Sequence, residues 1–161
     1  MRFYFTKMNI IELILSITLP LVIGAVAGIF TTREIPAWYA TLNRPGISPP
    51  NWIFGPVWTI LYILMGFSFY LVWIEPAGNL RTLAIAIYLL QLLLNFSWSF
   101  LFFYFKRLGF SLIEIIFLWL SILIMLFFFY RVKPVAAYLN IPYFLWVSFA
   151  SVLNAAYFSL N

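Results

Sequence analysis

Aromatic and amide side chains recur at helical spacing in three apolar segments of this chain. Repeated steps of three and four residues place such side chains on one face of a helix. Three faces of this kind, if they converge, enclose an apolar pocket that suits flat conjugated ligands. The same pattern is typical of ordinary helix packing with amides hydrogen-bonded across helices, and the stripes alone leave both interpretations open. The residues are Trp58, Tyr62, Met65 and Phe69, then Gln91, Asn95, Trp98 and Phe102, then Tyr143, Trp146, Ala150, Leu153 or Asn154, and Tyr157.

The composition limits the chemistry that these side chains can perform. The chain has no histidine and no cysteine, so disulfides, thiol chemistry and the commonest metal ligand and general base are absent. Glu12 and Glu114 lie near the ends of apolar segments, where contacts with headgroups or basic residues are favoured over a proton relay. We therefore predict no metal site, no cofactor and no ordinary acid–base centre.

The elements that must position these stripes are membrane-spanning helices. Hydrophobic residues make up 66% of the 161 residues and charged residues only 8%, with a mean hydropathy of +1.06. Continuous apolar stretches, each long enough to cross a core of roughly 30 Å, favour helices over a β-barrel. The sequence predicts an all-α integral membrane protein, a single domain over residues 1–161, with five transmembrane helices at about residues 10–30, 53–74, 82–105, 112–130 and 141–160.

The charged residues and small residues fit this bundle. The nine lysines and arginines exceed the four acidic residues and give the chain a net charge of +5. They form no continuous stripe of the kind that binds nucleic acid. Arg2 and Lys7, for example, precede the first span and are expected to meet lipid headgroups. Gly24 and Gly28 form a GxxxG step in that span, which permits close contact with another helix.

One long connection, residues 31–50, separates the first two spans. Pro49 and Pro50 stiffen it, and Trp38 can anchor it at the membrane interface or fold it over the bundle. Arg33 and Arg44 give it positive charge. One interpretation is a lid above the pocket, and the other is that its aromatic side chains simply lie in the headgroup belt.

Three blocks of this sequence resemble the translocator protein family, also called the TspO/MBR family, tryptophan-rich sensory proteins or peripheral-type benzodiazepine receptors. The resemblance covers nearly the whole chain. The first block comprises Trp38-Tyr39, Leu42-Asn43-Arg44-Pro45, Pro49-Pro50-Asn51-Trp52 and Phe54-Gly55-Pro56-Val57-Trp58 through Leu61-Tyr62. The second comprises Gln91-Leu92, Asn95, Trp98 and Phe102-Phe103, and the third Pro142-Tyr143, Trp146, Phe149-Ala150 and Leu153-Asn154.

The resemblance implies a five-helix membrane bundle, commonly a homodimer, with a pocket beneath the first loop. The ligands it implies are porphyrins such as protoporphyrin IX, and synthetic benzodiazepine-type or isoquinoline carboxamide compounds. It also implies a bacterial or mitochondrial membrane, of which we expect the bacterial one. Carried over position by position, it places pocket residues at Trp58, Tyr62, Asn95, Trp98, Trp146, Ala150 and Leu153.

The chain departs from the family pattern at two places. Animal members are credited with a sterol motif that needs a basic residue after a tyrosine, whereas Tyr157 is followed by Phe158-Ser159-Leu160-Asn161. Sterol binding through that weak motif is therefore not expected. Many relatives also carry tryptophan where this chain has Gly46-Ile47, so its lid is expected to contact a ligand less.

These observations predict a membrane receptor or carrier for tetrapyrroles and similar flat molecules. We expect the macrocycle to lie between Trp58, Trp98 and Trp146. Hydrogen bonds from Asn95 would orient it, and Arg33 or Arg44 would pair with its carboxylates.

Two other classes of function remain open. The family resemblance also implies an enzyme that promotes light- and oxygen-dependent porphyrin breakdown, with Trp58 and Trp146 as redox-active participants. A structural or interaction protein, in which the stripes are only packing, would bind no ligand at all.

Overall fold

The computed structural model describes residues 9–161, which form a bundle of helices. Five helical spans in this range are long and apolar enough to cross a membrane, so the prediction of an all-α protein with five membrane helices is confirmed. Arg2 and Lys7, predicted to flank the first span, lie outside the described residues. The helices are α1 (Ile10–Glu34), α2 (Phe54–Trp73), α3 (Asn79–Ser99), α4 (Leu108–Val132), α5 (Pro134–Leu139) and α6 (Ile141–Leu160), with α5 and α6 together forming the fifth span.

The first helix, α1, extends past its predicted end at residue 30. Thr31 and Thr32 do not stop it, because their hydroxyls donate to the carbonyls of Ala27 (3.0 Å) and Gly28 (2.8 Å) one turn earlier. A hydroxyl satisfied in this way is tolerated inside a helix. The connection to α2 is correspondingly short and contains two 3-10 turns, Tyr39–Thr41 and Asn51–Ile53.

The end of the third span departs from α-helical geometry. Residues Phe100–Tyr104 form a π-helical turn, in which the Phe105 N–H donates to the carbonyl five residues earlier (2.8 Å). The wider turn changes the direction of successive side chains, and both Phe102 and Phe103 are buried. Lys106 then adopts a left-handed backbone (φ 55°) as the chain turns back into α4.

The connection predicted over residues 131–140 contains the short helix α5. Pro134 starts this helix, where a missing N–H costs no hydrogen bond. At the break between α5 and α6, the fully buried Asn140 donates to the carbonyl of Ala136 (2.9 Å) and to the hydroxyl of Ser68 on α2. These bonds hold α5 against α2, so the segment is part of the core.

The helices pack unevenly. Contacts are extensive between α1 and α2 and along α4 with α3 and α6, whereas α2 and α6 touch only sparsely. The closest approach is at Gly66 on α2, where an added Cβ would lie 2.5 Å from the Ile17 Cα and 2.7 Å from the Ser16 carbonyl oxygen. Only glycine permits this crossing of α1 and α2. The sparse contact between α2 and α6 leaves space for a cavity.

Candidate functional site

A cavity of about 510 Å³ lies at the end of the bundle where the loop between α1 and α2 is located. Small-molecule sites typically enclose roughly 300–1,000 Å³. Its walls come from α1, the first half of α2, the end of the third span and α6, and the loop contributes Tyr39. Of the residues predicted to line a pocket, the structure brings six together here: Trp58, Tyr62, Trp98, Trp146, Ala150 and Leu153.

Aromatic rings form the inner walls of the cavity. On α2, Trp58 stacks on Tyr62 with ring centroids 5.3 Å apart and an interplanar angle of 26°. On α6, Trp146 meets the edge of Phe54 at 6.0 Å. Trp98 packs against Phe102 at 5.3 Å, beside the π-helical turn. Large π faces thus surround a space that is apolar on most sides.

Three of the four tryptophans that line the cavity, Trp58, Trp98 and Trp146, differ in what their indole N–H groups do. Trp98 donates to the side-chain oxygen of Asn154 (3.0 Å), whose amide nitrogen in turn donates to the carbonyl of Leu108 (3.2 Å). Trp58 and Trp146 donate to no other residue within the range 9–161. Two donors at the cavity are therefore available for a ligand.

Asn95, the seventh predicted residue, does not line the cavity. It is 3% exposed, and its amide oxygen accepts the Tyr62 hydroxyl (2.8 Å) while its nitrogen donates to the Tyr143 hydroxyl (3.1 Å). Tyr143 donates in turn to Gln91 (2.9 Å). The amides of α3 are thus used in a buried network that links α2, α3 and α6. This network fixes Tyr62 at the cavity wall instead of presenting an amide to a ligand.

None of the charged or proline residues predicted for the lid lines the cavity. The Arg44 guanidinium folds back onto its own loop and donates to the carbonyl of Pro49 (2.6 Å). Trp38 packs on the edge of Phe102 (5.8 Å), outside the cavity. Arg33 is exposed in the last turn of α1, next in sequence to a rim residue, and Pro50 is exposed just before α2.

The loop is nevertheless fastened over the cavity. Tyr39 and Ser48 of the loop were not among the predicted contacts, whereas Tyr157 was predicted on the aromatic face of the fifth span. The Tyr157 hydroxyl of α6 donates to the Tyr39 hydroxyl (2.7 Å) and accepts from the Ser48 hydroxyl (3.1 Å). Burial, and then the bond with Tyr157, raise the pKa of the Tyr39 phenol above its ordinary value, so the phenol stays neutral. The sequence signal for a role of Tyr39 was its position directly after Trp38 in the first of the three blocks that resemble the family.

Helix α1 also contributes more than the sequence reasoning assigned to it. Gly24 and Gly28 both line the cavity. At Gly24 an added Cβ would lie 2.1 Å from the Tyr62 ring, so this glycine makes room for the ring, whereas at Gly28 it would meet nothing within 4 Å. The GxxxG step was a visible signal, but spacing does not reveal which glycine faces a neighbour and which faces open space.

The lining of the cavity offers aromatic faces and uncharged hydrogen-bonding groups. Its lining, within the described residues, contains no charged side chain. No group of three or more potential metal ligands occurs among residues 9–161. Stacking faces, two indole donors and a few hydroxyls can hold and orient a flat ligand with an acceptor at its edge.

The comparison with known proteins identifies the family of this chain. The sequence profile of the TspO/MBR family matches residues 16–160. The chain belongs to this family. It is 39% identical over 154 residues to the tryptophan-rich protein TspO of Archaeoglobus fulgidus, covering 96% of this chain and 99% of the relative. It is also 39% identical over 157 residues to the tryptophan-rich protein TspO of Chlorobaculum tepidum, covering 95% and 98%.

A relative with a shorter matched region comes from an animal. The translocator protein of Homo sapiens is 37% identical over 119 residues, which cover 73% of this chain and 70% of the relative. Together with the five apolar spans, family membership makes this chain an integral, multi-pass membrane protein.

Proposed function

We propose that this chain is a membrane receptor or carrier that binds porphyrins, such as protoporphyrin IX, and similar flat hydrophobic molecules. The observation that carries the proposal is the cavity of about 510 Å³ walled by Trp58, Trp98 and Trp146. Aromatic walls of this kind favour stacking with an extended conjugated ring. Membership of the TspO/MBR family supports the same assignment.

The polar contacts that we propose differ from those predicted from the sequence. Because Asn95 is used in its buried network, the unpaired indole N–H groups of Trp58 and Trp146 take its role as donors to a ligand. Arg33, exposed at the end of α1, remains the residue that we propose to pair with carboxylates at the edge of the ligand. Arg44 is already bonded within the loop.

The proposed binding mode recognises the porphyrin ring and not its metal. The chain has no histidine or cysteine to bind the iron of haem axially. Free-base protoporphyrin IX and haem are therefore expected to bind with affinities equal to within about threefold, since both present the same stacking face. A strong requirement for iron would contradict this mode of binding.

The test is quenching of tryptophan fluorescence by protoporphyrin IX, measured in the dark on the purified protein in lipid nanodiscs. Saturable quenching is expected, and Trp146→Ala is expected to weaken binding by about tenfold or more, as for the loss of a central aromatic anchor. Trp73→Ala is the matched control, because Trp73 lies at the other end of α2 beside Arg81. Absence of saturable quenching would overturn the proposal and favour a structural or interaction protein.

The enzymatic alternative is distinguished by repeating the measurement under illumination. The stacked pair Trp58 and Tyr62 is the feature that favours it, since both rings are oxidisable and lie at the cavity. Loss of porphyrin absorbance that needs light, oxygen and intact Trp58 and Trp146 would identify photo-oxidative degradation. Retained absorbance with saturable binding would identify a receptor or carrier.

Three further expectations accompany this proposal. Synthetic benzodiazepine-type or isoquinoline carboxamide compounds should compete for the same cavity, since they carry aromatic rings and are largely apolar. We expect a homodimer, which crosslinking in native membranes would detect. We expect a bacterial membrane as its location, in keeping with the relative from Chlorobaculum tepidum.

A further inference from the structure

The loop closes the cavity toward the water on its own side of the membrane. Tyr39 is buried and packs with Phe102, Phe103, Leu153 and Tyr157 in a second hydrophobic cluster. The hydrogen bonds of Tyr157 to Tyr39 and Ser48 fasten the loop to α6, so its removal requires several contacts to break together. A ligand that approached from water would have to displace this cluster.

The side of the cavity between α1 and α2 is open by comparison. The two helices are in closest contact at Gly66, where an added Cβ would meet Ile17 at 2.5 Å. Toward the cavity the helices separate, and Cβ atoms added at Gly28 of α1 and Gly55 of α2 would meet nothing within 4 Å. Both glycines line the cavity. The helices therefore form a V whose open end leads into the cavity.

The rim of this gap is suited to hydrocarbon. Ala25 and Thr32 of α1 and Thr59 of α2 are exposed and also line the cavity. The hydroxyl of Thr32 donates to the carbonyl of Gly28 (2.8 Å) and that of Thr59 to the carbonyl of Gly55 (2.9 Å), so neither donor is left over for water. A side of a membrane bundle with satisfied polar groups faces lipid without penalty.

We propose that the gap between Gly28 and Gly55 is a lateral portal through which ligands dissolved in the membrane reach the cavity. This inference rests on the proposed ligand binding and adds the physical state of the ligand, which is taken from the hydrocarbon phase and not from water. The rings of such a ligand slide between α1 and α2 while the loop stays closed.

The outer end of the portal defines the class of ligand further. Trp52, which is 74% exposed, and Asn51 lie at this end of the lining, and Arg33 is exposed close by in sequence to Thr32. Exposed tryptophan, amide and arginine side chains are typical of headgroup depth. The portal therefore fits a planar amphiphile whose acidic edge stays at the headgroups while its rings enter the bundle.

The test measures the rate at which protoporphyrin IX, loaded into phosphatidylcholine vesicles, reaches the protein in phosphatidylcholine nanodiscs. Gly28→Leu and Gly55→Leu fill the gap from opposite sides. Each is expected to slow association by about tenfold or more and to slow release as well, as for a blocked gate. The Kd itself is not the readout, because both glycines also line the cavity. Gly78→Leu is the matched control, since a Cβ there also meets nothing within 4 Å but lies in the connection between α2 and α3, away from the cavity.

A second variant makes the test independent of how well leucine is accommodated. The chain contains no cysteine, so Gly28→Cys with Gly55→Cys introduces the only two thiols. Joining them with a reducible bismaleimide linker should slow exchange as strongly as the leucine variants, and reductant should restore the original rate. Each single cysteine variant, treated in the same way, should exchange normally.

The outcomes separate this inference from the proposed function. Saturable binding with unchanged rates in the leucine and crosslinked variants would overturn the portal and leave the binding function intact. Unchanged association with faster release would also overturn it, because Gly28 and Gly55 would then act only as part of the cavity wall. Failure of the unmodified chain to bind protoporphyrin IX saturably would overturn the proposed function, and the portal with it.

Discussion

The two ends of the bundle are packed very differently, although the same helices run through both. At the end away from the loop, α1 crosses α2 at Gly66 in close contact, and Tyr88 lies between Phe69 (4.6 Å) and Phe129 (5.9 Å) in a stacked column. At the loop end the helices separate around a cavity of about 510 Å³. The dense end supplies the burial that keeps the bundle together, and the open end is left available for a ligand.

The same residue type has opposite consequences at the two ends. Gly66 lets two helices touch, while Gly28 and Gly55 leave a space between the same two helices. The structural role of a glycine in this bundle therefore depends on its position along the V and not on its spacing in the sequence.

The largest expected effect is from Gly66→Ala at the dense end. The added methyl group would lie 2.5 Å from the Ile17 Cα, and a backbone atom cannot move away as a side chain can. We expect the free energy of unfolding to fall by about 3 kcal/mol or more, the upper part of the range for overpacking. Thermal unfolding in nanodiscs measures this. Gly28→Ala, with open space around the new methyl group, should unfold at the original temperature. Equal losses of stability in the two variants would contradict the difference in packing between the two ends of the bundle.

The next effect concerns Tyr62, which belongs to both regions. Tyr62→Phe keeps the ring at the cavity but leaves the buried oxygen of Asn95 without its donor. Leaving one buried acceptor unpaired costs about 1–3 kcal/mol. Stability should fall by that amount while porphyrin affinity changes by less than about threefold, because the stacking face is unchanged. A large loss of affinity at unchanged stability would place the Tyr62 hydroxyl in the binding site.

A smaller effect is expected from Asn140→Ala at the break between α5 and α6. The substitution removes the hydrogen bonds from the Asn140 side chain to Ala136 and Ser68, but Ser68 still donates to the carbonyl of Ala136 (2.8 Å). Two hydrogen bonds are lost, and the remaining bond keeps the Ala136 carbonyl paired, so we expect a loss of about 1–2 kcal/mol. Thermal unfolding should show this loss, and the porphyrin Kd should not change. Weaker binding would mean that packing at the dense end of the bundle influences the affinity of the cavity for porphyrin.

The smallest effect is expected from Tyr157→Phe, which removes two of the hydrogen bonds between the loop and α6. Hydrogen exchange of residues 39–48 should lose about fivefold in protection, equivalent to about 1 kcal/mol. Tyr138→Phe, at an exposed position of α5, is the control and should leave this protection unchanged.

Burial of Tyr39 sets the pH dependence of loop protection. Burial raises the pKa of Tyr39. The contribution of neutral Tyr39 to the stability of the closed loop is therefore complete below the ordinary phenol pKa of about 10, and it is lost as the pH rises toward the pKa of the folded state. Protection factors of the loop should therefore be constant from neutral pH to about pH 10 and fall above it. A fall between pH 6 and 8 would contradict this assignment.

The sequence was sufficient for the five spans and for the aromatic side chains that α2, the third span and α6 contribute to the cavity, for an identifiable reason. Long apolar runs define membrane helices, and the spacing of Trp58, Trp98 and Trp146 within them defines which face of each helix carries aromatic rings. Because each of the three helices turns its own aromatic face toward the interior of the bundle, these rings meet at one cavity.

The sequence was insufficient where a side chain had a choice of partner. Asn95 was expected to meet a ligand, but Tyr62 and Tyr143 from two other helices use both ends of its amide. Arg44 was expected to reach carboxylates, but the carbonyl of Pro49 lies closer along its own loop. Helical spacing identifies the face on which a polar group lies, whereas its partner is decided by how the helices are arranged in space.

The length of the cavity along α1 has a consequence for the lipid bilayer. Its lining on this helix extends from Leu21 to Thr32, which is about 17 Å at roughly 1.5 Å per residue. That is about half of a hydrocarbon core of roughly 30 Å. A single monolayer is therefore in contact with the open end of the V, and the direction in which the chain inserts decides which of the two leaflets it can sample.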